Sequence, residues 1–307
     1  MSFLGVNDSN IKPLEERFSS NITVRGDNVY VQGVPDDVES IDKVIKEMIF
    51  VLNTTGKLQS NDVYTIIDLT LQGKEIVGSN DYDNIVLYSK KDVIKAKTPN
   101  QVVYWKSIKE NDICFAIGPA GTGKTYLAVA FAVSSLKKGT VKKIVLARPA
   151  VEAGENLGFL PGDFREKIDP YLRPLYDALE EMIPSEQLRN YLEKGIIEIV
   201  PLAYMRGRTL NNAYVILDEA QNATAMQMKM FLTRLGPNSK AIITGDITQI
   251  DLPSASQSGL VQVKEILKNV DGVGFVYFEK IDVVRHKLVK DIIDAYEKHY
   301  GSNGKGV

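Results

Sequence analysis

The chain has one cysteine, Cys114, among 307 residues. An intramolecular disulfide is therefore excluded, and the composition fits a reducing, cytoplasmic setting. Cys114 lies in the apolar stretch "DICFAIG", which predicts a buried strand, so it reads as a small core residue rather than a reactive thiol. No run of about eighteen apolar residues occurs, which argues against a membrane span. The opening "MSFLGVNDSNIKPLEERFSS" lacks a basic head followed by an apolar stretch, so no secretory signal is expected. A dominant charge is missing too: the net charge of −2 argues neither for nor against a polyanionic partner. There is no internal repeat, no low-complexity tract and no Asn-Lys-x-Asp guanine signature.

What is present is unevenly distributed. Residues 1–90 carry 8 basic and 14 acidic side chains, a balance of −6, whereas the rest carry 29 and 25, a balance of +4. With 44% hydrophobic and 25% charged residues, the chain can bury two cores. The expected division is a small α+β accessory unit over 1–90, a Lys-rich linker over 91–100 and a larger α/β domain over 101–307. In the first unit "NITVRG" and "NVYVQG" alternate around a turn and predict a β-hairpin. "DDVESIDKVIKEMIFVLN" and "SNDVYTIIDLTLQG" have helical spacing. This ββα start is similar to small RNA-binding modules such as KH domains, but it has no GxxG loop and is acidic. A docking or oligomerisation role suits it equally.

In the larger domain the rhythm changes. Apolar runs at 112–118, 142–148, 196–200, 213–219, 240–246 and 273–279 alternate with helical stretches, which predicts a parallel sheet covered on both faces. The first run leads into "GPAGTGKTY", where Gly118, Gly123, Lys124 and Thr125 match G-x-x-x-x-G-K-[ST] and an amphipathic helix follows. In such a loop the backbone N–H groups turn inward and the helix N-terminus adds positive potential, so Gly118, Pro119, Ala120, Gly121, Thr122, Gly123, Lys124, Thr125 and Tyr126 are expected to cradle a polyphosphate. Lys124 reaches its outer phosphates, and Thr125 ligates Mg²⁺.

A Mg²⁺–triphosphate site also needs a carboxylate at the metal and a group that orients water. "AYVILDEAQNAT" offers Asp218 for the metal and Glu219 for the water. "AIITGDITQIDLP" adds Asp246 as support and Gln249 as a contact to the γ-phosphate or the water. Upstream, the planar amide of Gln101 suits an adenine edge, or it is a polar residue at a helix start. Tyr104 and Trp105 either stack on a base or pack.

Taken together, "TPNQ", "GPAGTGKTYLAVA", "LARPAVEAGENLGFLPGDFREKIDPYLRPLYDAL", "PLAYMRGRTLNNAYVILDEAQNAT", "QMKMFLTRLG", "TGDITQIDLP" and "DVVRH" resemble the PhoH-like proteins, bacterial P-loop ATPases, over roughly 98–300. The resemblance implies a RecA-like core close to the first motor domain of superfamily 1 helicases, with ATP and Mg²⁺ as ligands. It supports Gln101 at adenine, Lys124 and Thr125 at phosphate and metal, Asp218 and Glu219 in hydrolysis and Gln249 as sensor. It also implies a link to RNA metabolism. No PIN-type nuclease domain accompanies the core, and the acidic N-terminal unit resembles the arrangement of the bacterial form that works beside a separate endoribonuclease, which the resemblance thus implies as a partner.

The 58 residues after Gln249 are too few for a second RecA domain. The γ-phosphate nevertheless needs a further cation, so a neighbouring subunit is expected to supply an arginine in a ring or head-to-tail oligomer. The candidates are Arg285 first, then Arg234 and Arg206, with Arg208 beside them. Arg148 and the backbone of 150–158 either contact RNA phosphates or serve structural packing, and Lys137, Lys138, Lys142 and Lys143 form either a basic patch or a solvated rim. Two other function classes stay open: a small-molecule kinase, and an ATP-controlled assembly or adaptor protein that unwinds nothing.

Overall fold

The computed structural model describes residues 3–26, 28–55, 58–71, 85–89, 93–149 and 164–284, with 288 and 292. The first part contains α1 (Lys12–Arg17), the hairpin β1 (Asn21–Arg25) and β2 (Asn28–Gln32), α2 (Pro35–Thr55) and α3 (Ser60–Leu71). The predicted hairpin and both long helices are present. Their apolar faces meet in one cluster around Leu14, Ile41, Val44, Met48, Ile66 and Ile67. Helical spacing places Ile41, Val44 and Met48 on one stripe of α2, and that stripe is what the cluster buries.

A second hairpin, β3 (Ile85–Tyr88) with β4 (Val93–Lys95), follows. Residues read as linker thus contain a strand. Ile85 belongs to the first cluster, whereas Val86, Leu87 and Ile94 pack into the core of the larger unit. An ion pair between Lys137 and Asp62 at 3.8 Å also joins the two parts.

The larger unit is built on strands β5 (Ile113–Ile117), β6 (Lys143–Arg148), β7 (Ile197–Pro201), β8 (Ala213–Leu217), β9 (Lys240–Gly245) and β10 (Val273–Tyr277). They form one parallel sheet in the order β10-β5-β9-β8-β6-β7. All six match the predicted apolar runs. Alternation along each strand splits the side chains between two cores. Cys114, Ala116, Ile144, Leu146, Tyr214, Ile216 and Ile242 face one side, with α4 (Pro99–Glu110), α5 (Lys124–Lys138), α6 (Phe164–Met182) and α7 (Ser185–Glu193). Phe115, Val145, Val215, Leu217 and Ile243 face the other, with α8 (Ala225–Leu232) and α9 (Gly259–Ile266). Burial of both faces explains why these strands read as continuous apolar runs.

One strand, β9, stands between β5, which leads into the glycine-rich loop, and β8, which ends at the two acids. This order brings three sequence-distant loops together at the carboxyl ends of adjacent strands. Cys114 is buried as expected, and burial pushes its thiol up to about 11 against weaker opposing effects of Ser107 and Lys240. Among the described residues no helix is long and apolar enough to cross a membrane.

Ile216 is fully buried on β8 in the middle of the sheet. We expect Ile216→Ala to cost about 2–5 kcal/mol, seen as a lower urea midpoint with an unchanged denaturant slope.

Candidate functional site

The loop between β5 and α5 is shaped by positions that only glycine occupies without strain. Gly118 has φ 151°, and a Cβ there would lie 2.4 Å from the carbonyl oxygen of Phe278. Gly123, at φ 80°, sits immediately before the first turn of α5. The loop is tied to its neighbours from three sides. Gly118 N–H donates to Gly245 O at the end of β9 (3.1 Å), and Val284 N–H donates to Gly121 O (2.9 Å). The Gln101 side-chain amide donates to Thr122 O (3.0 Å).

Lys124 folds back over this loop. Its Nζ donates to Gly118 O and Pro119 O, each at 2.7 Å, and to Thr122 Oγ1 at 3.2 Å. Thr122 Oγ1 in turn donates to Pro119 O (2.9 Å). Burial pulls the Lys124 ammonium below the ordinary lysine range, while Asp246, Glu219 and Asp218 oppose that shift. A partly desolvated cation surrounded by loop carbonyls and N–H groups is suited to exchange those carbonyls for an anion.

The acids arrive from the two neighbouring strand ends. Asp218 Oδ1 accepts from Thr125 Oγ1 at 2.6 Å and from Thr244 Oγ1 at 2.7 Å. Asp246 Oδ1 accepts from the Thr248 N–H (2.9 Å) and hydroxyl (2.7 Å), while its buried Oδ2 has no partner among the described residues. Glu219 follows Asp218 in the left-handed region at φ 51°, ψ 41°, a conformation that costs a side chain about 1–3 kcal/mol. Its Oε2 accepts from Gln221 Nε2 at 2.5 Å, and its Oε1 faces Arg148 Nη2 at 3.3 Å. Gln221 is itself buried, and its Oε1 accepts from the Asp246 N–H at 3.0 Å.

These groups line one cavity of about 310 Å³, bounded by Ala120, Gly123, Lys124, Thr125, Tyr126, Asp218, Glu219, Asp246 and Gln249. Most of the sequence-predicted residues therefore converge, with Gln249 exposed at the rim. An oxygen-only set made of the Thr125 hydroxyl, Asp218 and the unpartnered Asp246 Oδ2 suits a hard divalent cation. Mg²⁺ characteristically takes few protein ligands and completes its shell with water and phosphate. Among the described residues no group of three or more His, Cys, Asp or Glu could hold a metal by itself.

Other residues are placed differently from expectation. Gln101 is 4% exposed, and its Oε1 accepts from Lys97 N–H at 2.7 Å while its amide nitrogen holds Thr122 O. The amide expected at an adenine edge thus braces the phosphate loop. Tyr104 is fully buried, edge-on to Phe131 and Phe278, and Trp105 packs beneath Lys109 with its N–H on Ile85 O (3.3 Å). Both pack rather than stack on a base. Arg148, read as either an RNA-phosphate contact or a packing residue, is engaged by Glu219 and by Tyr171 O (2.8 Å). Arg234 is spent on Met230 O, Arg208 O and the Thr233 hydroxyl, and Arg208 pairs with Glu198 at 2.6 Å. Lys143 pairs with Glu198 as well. Arg206 is exposed. Arg285 and residues 150–158 lie outside the described residues.

Three residues escaped sequence reasoning. Gln221 stands in the quoted "DEAQ" and Thr244 in "TGD", but nothing local shows their partners. Asp282 is fully buried and accepts from Thr98 Oγ1 (2.5 Å), Asn100 Nδ2 (2.7 Å) and Glu279 N–H (2.9 Å). Burial raises its carboxyl, yet these hydrogen bonds outweigh it and hold the group below the usual carboxylate range. "TPNQ" and the start of "DVVRH" are therefore two halves of one latch beside the loop.

Comparison with known proteins agrees with this motif set. The PhoH-like protein family model matches residues 93–297. The chain is 50% identical to a PhoH-like protein of Bacillus subtilis over 97% of its own length and 94% of that protein. It is 47% identical to a PhoH-like protein of Mycobacterium tuberculosis over 100% of its length and 87% of the relative. Protein PhoH of Escherichia coli is 48% identical across 66% of this chain and 58% of that protein. Among solved structures, the SWI2/SNF2 ATPase core of Sulfolobus solfataricus in complex with dsDNA aligns at a TM-score of 0.38 and 15% identity, over 66% of this chain and 48% of that one. With its glycine-rich loop and adjoining acids, a family-model match over two thirds of its length and relatives near 50% identity, the chain belongs to the PhoH-like protein family.

Proposed function

We propose that the chain hydrolyses ATP with Mg²⁺ and couples hydrolysis to binding, remodelling or processing of RNA in the cytoplasm. The observation that carries the hydrolytic part is the convergence of Lys124, Thr125, Asp218, Glu219 and Asp246 on one cavity at the ends of β5, β8 and β9. The loop N–H groups and the N-terminus of α5 bind the phosphates, and Lys124 exchanges Gly118 O and Pro119 O for phosphate oxygen. Thr125 and Asp218, with Asp246 in support, would hold Mg²⁺, which neutralises charge on the phosphates. Glu219 accepts a hydrogen bond from the attacking water and orients it, and Gln249 at the rim senses the γ-phosphate.

The RNA part rests on the family and on the resemblance to superfamily 1 motor cores. A separate endoribonuclease is the matching partner. Among the described residues Arg148, Arg208 and Arg234 are engaged within the chain and line no part of the cavity. A subunit of a homo-oligomer supplying Arg285 or Arg206 in trans completes the charge balance. An ATP-controlled adaptor that unwinds nothing uses the same cavity and differs only in its indifference to RNA.

Lys124→Ala should abolish binding of a fluorescent ATP analogue. Glu219→Gln should leave binding intact and lower kcat by about 10²–10⁴-fold. Equal loss of binding in both variants would overturn the division of roles. Single-stranded RNA is expected to bind and to raise the ATPase rate, and no binding together with no rate change would favour the adaptor. ATPase activity per subunit should fall steeply on dilution into the monomeric range, because an arginine finger is worth about 10³–10⁵ in rate. Strict proportionality to protein concentration would eliminate a residue supplied in trans.

A further inference from the structure

Arg148 is the last residue of β6 and lies outside the phosphate motif, the acidic pair and the sensor strand. Its guanidinium spans two acceptors. Nη1 donates to Tyr171 O of α6 at 2.8 Å, and Nη2 faces Glu219 Oε1 at 3.3 Å. Its side chain is only 20% exposed, compared with 37% for Glu219. The anchor is firm because Leu172, directly after Tyr171, and Leu175, one turn on, are buried in the core beneath α6. On the other side of the carboxylate Gln221 holds Oε2 and is itself fixed to the Asp246 N–H.

We infer that Arg148 is a positioning residue for Glu219, joining the water-orienting carboxylate to the packed backbone of α6. The inference rests on the hydrolytic reading of Glu219 given above. Its physical logic is that of any base oriented by a third group. Glu219 is in a strained backbone conformation and its side chain would otherwise sample several rotamers, so an arm on each oxygen restricts it to one. Arginine is required because its planar fork reaches two acceptors at once, whereas an ammonium on a flexible stem is a single point of charge. Arg148 is not among the residues that line the cavity, and its guanidinium meets Tyr171 O and Glu219 rather than Lys124, Thr125 or Asp218, so its loss leaves nucleotide affinity alone and misplaces the carboxylate.

The test compares steady-state ATPase kinetics and binding of a fluorescent ATP analogue for the parent, Arg148→Ala, Arg148→Lys and Glu219→Gln. Arg148→Ala is expected to lower kcat by about a hundredfold, the scale of a misplacement near 1 Å, with KM and analogue affinity within about twofold of the parent. Arg148→Lys keeps the charge without the bridge and should stay near the alanine variant. The inference is overturned if Arg148→Ala keeps kcat within about threefold of the parent, if the lysine variant restores it, or if analogue binding is lost in both variants. A parent without ATPase activity, or a Glu219→Gln variant as active as the parent, would instead sink the hydrolytic reading itself.

Discussion

The site depends on one carboxylate oxygen. Asp218 Oδ1 accepts hydroxyl hydrogens from Thr125 and Thr244, which begin and end different elements, so a single acceptor ties α5 and β9 to the end of β8. Asp218 and Thr244 are both buried, and a charge withdrawn from water must be compensated by donors nearby. The two hydroxyls meet that demand and leave the acid aimed at the loop where phosphate is expected. Because β9 stands between β5 and β8, both hydroxyls reach the acid without distorting the sheet.

Around that point the molecule spends buried polar groups on holding the loop still. Gln101 grips Thr122 O from one side, and the segment after β10 grips Gly121 O through the Val284 N–H. Asp282 then joins the two supports by accepting from Thr98 and Asn100. A loop with several glycines would otherwise lose much entropy each time it closed on a ligand. External bracing supplies that order in advance, which lowers the cost of binding. The same economy governs Glu219, whose carboxylate lies between Gln221 and Arg148.

The accessory unit has its own apolar cluster, yet Ile85 of β3 lies in that cluster while its neighbours Val86 and Leu87 lie in the core of the larger unit. Trp105 fastens the junction through Ile85 O. Compositional reading placed a linker here because lysines and a Thr-Pro-Asn turn dominate locally. Pairing of β4 with β3 outweighs that polarity, and the turn becomes the capped start of α4, where Thr98 accepts from the Gln101 N–H.

What the sequence determined by itself is whatever short-range chemistry specifies. Six apolar runs predict buried parallel strands, and a glycine spacing followed by Lys-Thr predicts an anion cradle, because φ preference, burial and helix capping act over a few residues. The two acids at the end of the fourth sheet strand were legible for the same reason. Only the tertiary structure decided that Gln101 braces the loop, that Arg148 pairs with Glu219, that Arg234 reaches Arg208 O and that Asp282 latches "TPNQ". The contacts Gln101–Thr122, Arg148–Glu219, Arg234–Arg208 and Asp282–Thr98 are hydrogen bonds or ion pairs between residues far apart along the chain, and which donor meets which acceptor is settled by how strands and helices stack, not by local preference.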